Sequence, residues 1–210
     1  MPEDVDLDID KFEQVVKNNP TSAEAHASLG SLYSLAGRHV DAVAELRKAM
    51  ELKPASAQYH FYLGQGLYAE GNVDGAIKEL QEALKINPKY IDALFHLGLV
   101  LEKKGRLDEG IQHYKSAIAI APEMAPAYHR LGMSLAKKGE RKEAIAAIRK
   151  ATDLDADFGV YHYDLGTLYL ADGQSDAAIK EFQEAIRLEI FYPEARRGIQ
   201  LALEKKAAIQ

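Results

Sequence analysis

The 210-residue sequence contains no cysteine. Disulfides, thiolate chemistry and cysteine metal sites are therefore excluded, although the compartment is left open. No apolar stretch approaches the roughly 20 residues that a membrane-spanning helix needs. The net charge of −6, from 32 acidic and 26 basic side chains, lacks the basic excess that non-specific nucleic-acid binding demands. No strand signal appears anywhere along the chain. The first ten residues, MPEDVDLDID, hold five acids and no apolar run, so they do not read as a secretory leader. The expected setting is soluble and cytoplasmic. Hydrophobic residues nonetheless make up 47% of the chain, enough for a core.

What the sequence has in quantity is repetition. A Leu-Gly pair recurs at 29–30, 63–64, 97–98, 131–132 and 165–166, and a second glycine follows as Gly37, Gly71, Gly105, Gly139 and Gly173. The register is free of insertions. Counted from Ala23, the units run 23–56, 57–90, 91–124, 125–158 and 159–192, a 34-residue period that marks a repeat architecture.

Each unit carries two apolar stripes at helical spacing. In the third, Leu94, Leu97 and Leu101 form one stripe, and Gly110, Ile111, Tyr114, Ala117 and Ile118 form the other. Between them lies KKGRLDEG. Gly105 falls where a left-handed residue closes a helix, after two lysines suited to the negative helix end. Asp108 and Glu109 suit the positive end of the next helix. Pro54, Pro88 and Pro122 stop the second helix of their units. Each unit therefore reads as a helix hairpin.

Gly98 sits inside the first helix of its unit, where glycine costs about 1 kcal/mol relative to alanine. The compensation is expected from facing small residues: Ala42, Ala76, Gly110, Ala144 and Ala178 at position 20, and Ala49, Ala83, Ala117, Ala151 and Ala185 at position 27. Small side chains on facing helices let the backbones approach closely.

Leu at position 7, Gly at 8 and 15, a small residue at 20, a bulky one at 24, Ala at 27 and Pro at 32 resemble the tetratricopeptide repeat. The resemblance spans essentially the whole chain and implies an all-α, right-handed α-solenoid, a superhelix of helix-turn-helix hairpins forming one domain over residues 1–210. Two departures stand out. Position 4 holds His26, His60, Leu94, Tyr128 and His162 in place of the large aromatic often seen there, and position 32 is Ala156 and Ile190 in the last two units. Residues 1–22 read as a second-helix half-unit, with Val5, Ile9, Phe12 and Val16 on one stripe. Residues 193–210 read as a capping first helix that needs no close crossing, since Gln200 stands where the repeat glycine belongs.

The resemblance further implies a concave surface lined by positions 2, 5, 6, 9, 12 and 13 of the first helices. Those positions include Phe61, Tyr62, Phe95, His96, Leu99, His129, Arg130, Met133 and Tyr163. Aromatic and apolar groups with interleaved polar ones are what binding surfaces look like. The bland alternative is that Phe61 and Phe95 pack between neighbouring first helices. Arg130, Lys103 and Lys137 beside His96 and His129 suggest a peptide with acidic groups and apolar anchors. The carboxylate clamp of chaperone adaptors is matched only at Arg130, and position 6 holds no asparagine ladder of the glycosyltransferase-associated arrays.

No catalytic constellation accompanies this surface. Gly64 to Ala69 formally matches a dinucleotide fingerprint, but Gly64 is a repeat glycine without the required preceding strand. Asp153 to Gly159 resembles a calcium loop whose sharp-turn position is occupied by Phe158. The histidines lack the i,i+4 pairing of a helical zinc site. The expected function is a non-enzymatic protein-interaction scaffold without cofactor, metal, nucleic acid or membrane insertion. The alternative is a homo-oligomer that stacks its terminal half-units head to tail. Replacing Gly98 by Leu should lower the thermal melting temperature despite leucine's better helix propensity; a rise would contradict the close-crossing account.

Overall fold

The structure, a computed structural model, describes residues 2–188 and 193–208; the end of the fifth repeat, with Ile190, lies outside them. The chain forms two compact units, Met1–Arg106 and Leu107–Gln210. The first contains α1 (Pro2–Asn18), α2 (Ala23–Leu35), α3 (His39–Leu52), α4 (Ala57–Ala69), α5 (Val73–Ile86) and α6 (Ile91–Lys103). The second contains α7 (Leu107–Ile120), α8 (Ala125–Lys137), α9 (Arg141–Leu154), α10 (Gly159–Ala171), α11 (Ser175–Leu188) and α12 (Pro193–Ala207). The described residues include no strand.

Local chemistry starts and stops these helices where the repeat predicts. Ser22 caps α2 by accepting from the Ala25 amide at 3.1 Å, and Asn72 caps α5 by accepting from the Gly75 amide at 2.9 Å. The first helices end at the second repeat glycine. Gly37 and Gly71 adopt φ of 73° and 91°, a left-handed geometry that side-chain-bearing residues disfavour. The following amide closes the turn: Arg38 N–H donates to the Tyr33 carbonyl at 2.8 Å.

Gly30, Gly64, Gly132 and Gly166 lie at their hairpin crossings. A Cβ on Gly64 would stand 2.8 Å from Leu80 Cγ, and one on Gly30 would stand 2.7 Å from Leu46 Cγ. In the second unit a Cβ on Gly166 would meet the Phe182 ring at 2.8 Å. The glycine therefore seats the bulky side chain at position 24, and position 20 supplies a backbone carbonyl behind it, Ala76 O at 3.4 Å from the Gly64 site. The close approach was expected; its main partner is position 24 rather than the small residues alone. Leu80 is fully buried. Burying such a leucine is worth about 1.5–3 kcal/mol, more than the helix-propensity loss at glycine.

The C-terminal helix departs from expectation. It does make a close crossing, through Gly198 instead of position 8: a Cβ there would lie 2.6 Å from the Phe182 ring. Phe182 thus rests against glycines on both α10 and α12.

The histidines at position 4 are structural. His26 Nδ1 meets Glu45 at 2.6 Å and its Nε2 meets the Pro20 carbonyl at 3.0 Å. His60 repeats this with Glu79 at 2.7 Å and Pro54 O at 3.1 Å, and His162 with Glu181 at 2.7 Å and Ala156 O at 3.1 Å. Each ring joins its own helix, the second helix of the hairpin and the turn from the preceding repeat. The glutamate is at position 23, and it is present in the three units whose position 4 is histidine. A lighter tie runs along the surface, where Lys138 meets Asp108 at 2.6 Å, Lys206 meets Asp176 at 2.6 Å, and Lys104 meets Asp74. Exposed pairs of this kind contribute at most about 1 kcal/mol each.

Replacing Glu79 by Ala should cost about 1–3 kcal/mol, because it leaves a largely buried imidazole nitrogen without its partner. Replacing the nearby surface Glu82 should cost less than about 0.5 kcal/mol. Urea unfolding of the two variants measures the contrast, and equal losses would contradict a structural role for the histidine tie.

Candidate functional site

In the first unit, the exposed face of α2 forms a cleft with α1 and α4. Its volume is about 440 Å³, with Phe12 and Leu32 in its apolar wall and Ser28, Ser31, Gln58 and Tyr62 among its polar groups. A second cleft of about 380 Å³ shares Ser31, Leu35 and Tyr62 and extends toward Ser34, His39 and Gln65. Both lie within the size range of ordinary ligand sites. From α2 and α4, positions 2, 5, 6, 9 and 13 supply much of the lining, in agreement with the helical stripe. Leu35 is 76% exposed, a large apolar group left uncovered at the rim.

The aromatic residues beyond this cleft are distributed differently from a simple exposed stripe. Phe61 is only 6% exposed and belongs to the core of the first unit. Its ring lies 5.0 Å from Tyr90 and 5.3 Å from His96. The expectation that Phe61 presents a surface is thereby corrected: position 5 of α4 faces the incoming α6, and packing claims the ring. Phe95 is half-buried and meets His96 edge-on at 5.7 Å. Leu99 is also half-buried on α6, while Tyr62 remains partly open and accepts from Gln58 at 2.9 Å.

His96 is tied to the neighbouring first helix. The Gln65 amide nitrogen stands 3.1 Å from His96 Nε2, which accepts as a neutral imidazole. Burial pushes the His96 pKa below its ordinary 6.5, with Asp92 acting in the opposite direction. The low pKa and the accepted hydrogen bond favour the same protonation state, so His96 is not a standing positive charge.

The second unit presents its own first-helix face. His129 Nε2 contacts Asp164 at 2.6 Å, linking α8 to α10, and its ring lies 4.7 Å from Tyr161. Arg130 is exposed beside this pair. Met133 and Tyr163 are half-buried against the core, with Tyr163 5.8 Å from Phe182. Histidines that read as ligand contacts in the sequence are thus engaged between successive first helices within each unit. Among the described residues, no group of three or more His, Asp or Glu is placed to hold a metal ion. No described helix is long and apolar enough to cross a membrane.

Sequence signatures described as TPR or tetratricopeptide repeat match residues 9–57, 64–105, 91–124, 125–158 and 160–189. The chain belongs to the tetratricopeptide repeat family. Among solved structures, this tetratricopeptide repeat protein is 32% identical to MamA, covering 73% of this chain and 90% of that one at a TM-score of 0.69. It shares its fold with YrrB, described as a TPR protein with an unusual peptide-binding site, at 22% identity, 93% and 97% coverage and a TM-score of 0.70. PilF of Pseudomonas aeruginosa is similar at 22% identity, with 88% and 86% coverage and a TM-score of 0.78. No curated protein sequence matches.

The cleft at α1, α2 and α4 carries little aromatic signal in the sequence, because its α2 residues are mostly small or polar. The signal was available in position: Ser28 and Ser31 occupy the same stripe as Tyr62 and Gln65. Because unfolded histidine takes up a proton near pH 6.5 and folded His96 does so only at lower pH, falling pH removes the stability that neutral His96 contributes. The stability advantage of wild type over His96→Gln should therefore shrink below about pH 6.5. An advantage that stays constant from pH 7 to pH 5 in urea unfolding would contradict this assignment.

Proposed function

We propose that this tetratricopeptide repeat protein is a non-catalytic scaffold that binds a peptide segment of a partner protein on its first-helix faces. One observation carries the proposal: the adjoining clefts along α2 and α4 combine exposed Leu35 and half-open Tyr62 with serine and amide groups. Apolar anchors beside a few orienting polar groups are how peptide sites achieve affinity and direction. Tyr62, Phe95, His96 and Leu99 are the proposed contacts of the first unit, with Phe61 supporting them from the core. On the second unit His129, Arg130, Met133 and Tyr163 are the proposed contacts, and exposed Arg130 would favour an acidic group on the ligand. That residues 1–210 act as one repeat domain is part of this reading.

The YrrB description gives the proposal a precedent on the same fold. Head-to-tail self-assembly is a second reading, favoured by exposed Leu7 and Val15 on α1 and Leu201 and Leu203 on α12. Phe12, by contrast, packs against the core of its own unit, so Leu7 is the better probe. Light scattering over a concentration series tests that reading: Leu7→Lys should abolish any concentration-dependent growth, and a strict monomer at high concentration removes it.

For the peptide reading, affinity capture from native lysate should compare wild type with a triple variant, Leu35→Ser, Tyr62→Ala and Arg130→Glu. Partner recovery should fall on the order of tenfold or more while helicity is retained. Undiminished capture by the folded triple variant would overturn the proposal.

A further inference from the structure

Resting on the peptide-binding reading, we infer that the first unit's cleft selects a positively charged apolar segment, one that places Lys or Arg beside a leucine- or phenylalanine-like anchor. Its mouth is acidic. Asp8 of α1 and Glu24 of α2 both line the larger cleft, and among the described residues no lysine or arginine does. The surrounding chain deepens the bias: between Val5 and Leu35 there are five carboxylates, Asp6, Asp8, Asp10, Glu13 and Glu24, against two lysines. Glu13 is occupied, accepting from the Tyr33 hydroxyl at 2.7 Å. The other four stand at or near the surface, where they set the local field.

The cations nearby are held in weak arrangements. Lys11 meets Asp8 at 3.0 Å with both side chains half exposed or more, and Lys53 meets Glu24 at 3.2 Å with both more than half exposed. Such pairs contribute from nothing to about 1 kcal/mol, so a ligand cation that also gains apolar contact can displace them. The contact is available. Phe12, Leu32 and Leu35 form an apolar wall, and half-open Tyr62 adds an aromatic face on which a guanidinium or ammonium can rest. An apolar wall lowers the effective dielectric and strengthens attraction to the two carboxylates. An acidic ligand would meet like charge at the same mouth. Charge at this cleft is therefore opposite in sign to that expected around Arg130 on the second unit, and the two faces differ in ligand preference.

The test uses the full chain and three labelled peptides with one shared pattern of leucines, their remaining positions filled with Lys and Arg, with Ser, or with Glu. Fluorescence anisotropy should show the cationic peptide binding on the order of tenfold more tightly than the neutral one, with the advantage shrinking as salt rises. Asp8→Asn combined with Glu24→Gln should remove that advantage, weakening the cationic peptide far more than the neutral one, whereas Leu35→Ser should weaken every peptide that binds. Equal or tighter binding of the neutral or acidic peptide would overturn the charge inference and leave the peptide-binding reading standing. Binding that ignores both the carboxylate and the Leu35 variants would overturn this cleft as the site. If no peptide binds, the peptide-binding reading itself fails, and this inference with it.

Discussion

The hairpins built on Gly30, Gly64, Gly132 and Gly166 are each organised around a missing side chain. Where Gly30, Gly64, Gly132 or Gly166 stands, the position-24 residue of the partner helix fills the space a Cβ would take. The exchange is favourable because one large buried side chain outweighs one helix-propensity penalty. The position-27 alanines Ala49, Ala83, Ala151 and Ala185 are fully buried, as close approach requires. Once two helices are locked at this distance, their remaining surfaces are committed: one side to the adjacent hairpin, the other to solvent or a ligand.

The second level of order is polar. His26, His60 and His162 reach the second helix and the preceding turn at once, so they fix how one hairpin follows another. This is a different solution from filling position 4 with a large aromatic. It ties the repeats by directional bonds where apolar packing would tie them by area. The Lys–Asp contacts along the surface repeat the same connection with little energy.

How much of this was readable in the sequence depends on what determined each feature. The hairpins and the turn glycines follow from local preference and 34-residue periodicity, and α2, α4, α6, α8 and α10 begin at the first residue of a 34-residue unit. The glycine's partner was only half legible, since spacing shows that two small residues face each other but not which neighbouring side chain enters the gap. The histidine tie was written in paired form, with glutamate at position 23 in each unit that has histidine at position 4. Separate attention to each column hides it. Phe61 and His96 show the limit at the site: a residue on the right stripe can be drawn inward by the next first helix, and position alone does not distinguish the two outcomes. At α2, small residues at the same positions leave the space open, and there the cleft forms.

Function then follows from where packing leaves off. Aromatic side chains bridge successive first helices, while Leu35 stays exposed and Tyr62 and the serines of α2 stay half-open. Such a face suits recognition, because it is open and mixed in polarity. The arrangement rests on the claim that position 8 glycine and position 24 side chain occupy one shared space. A double-mutant cycle tests that claim most directly, comparing Gly64→Ala, Leu80→Ala and the double variant by urea unfolding. The account predicts strong coupling, with the double variant more stable than the summed single losses by about 1 kcal/mol or more, because the new methyl enters space the leucine vacates. Losses that add within about 0.5 kcal/mol would show that the two residues do not share that space.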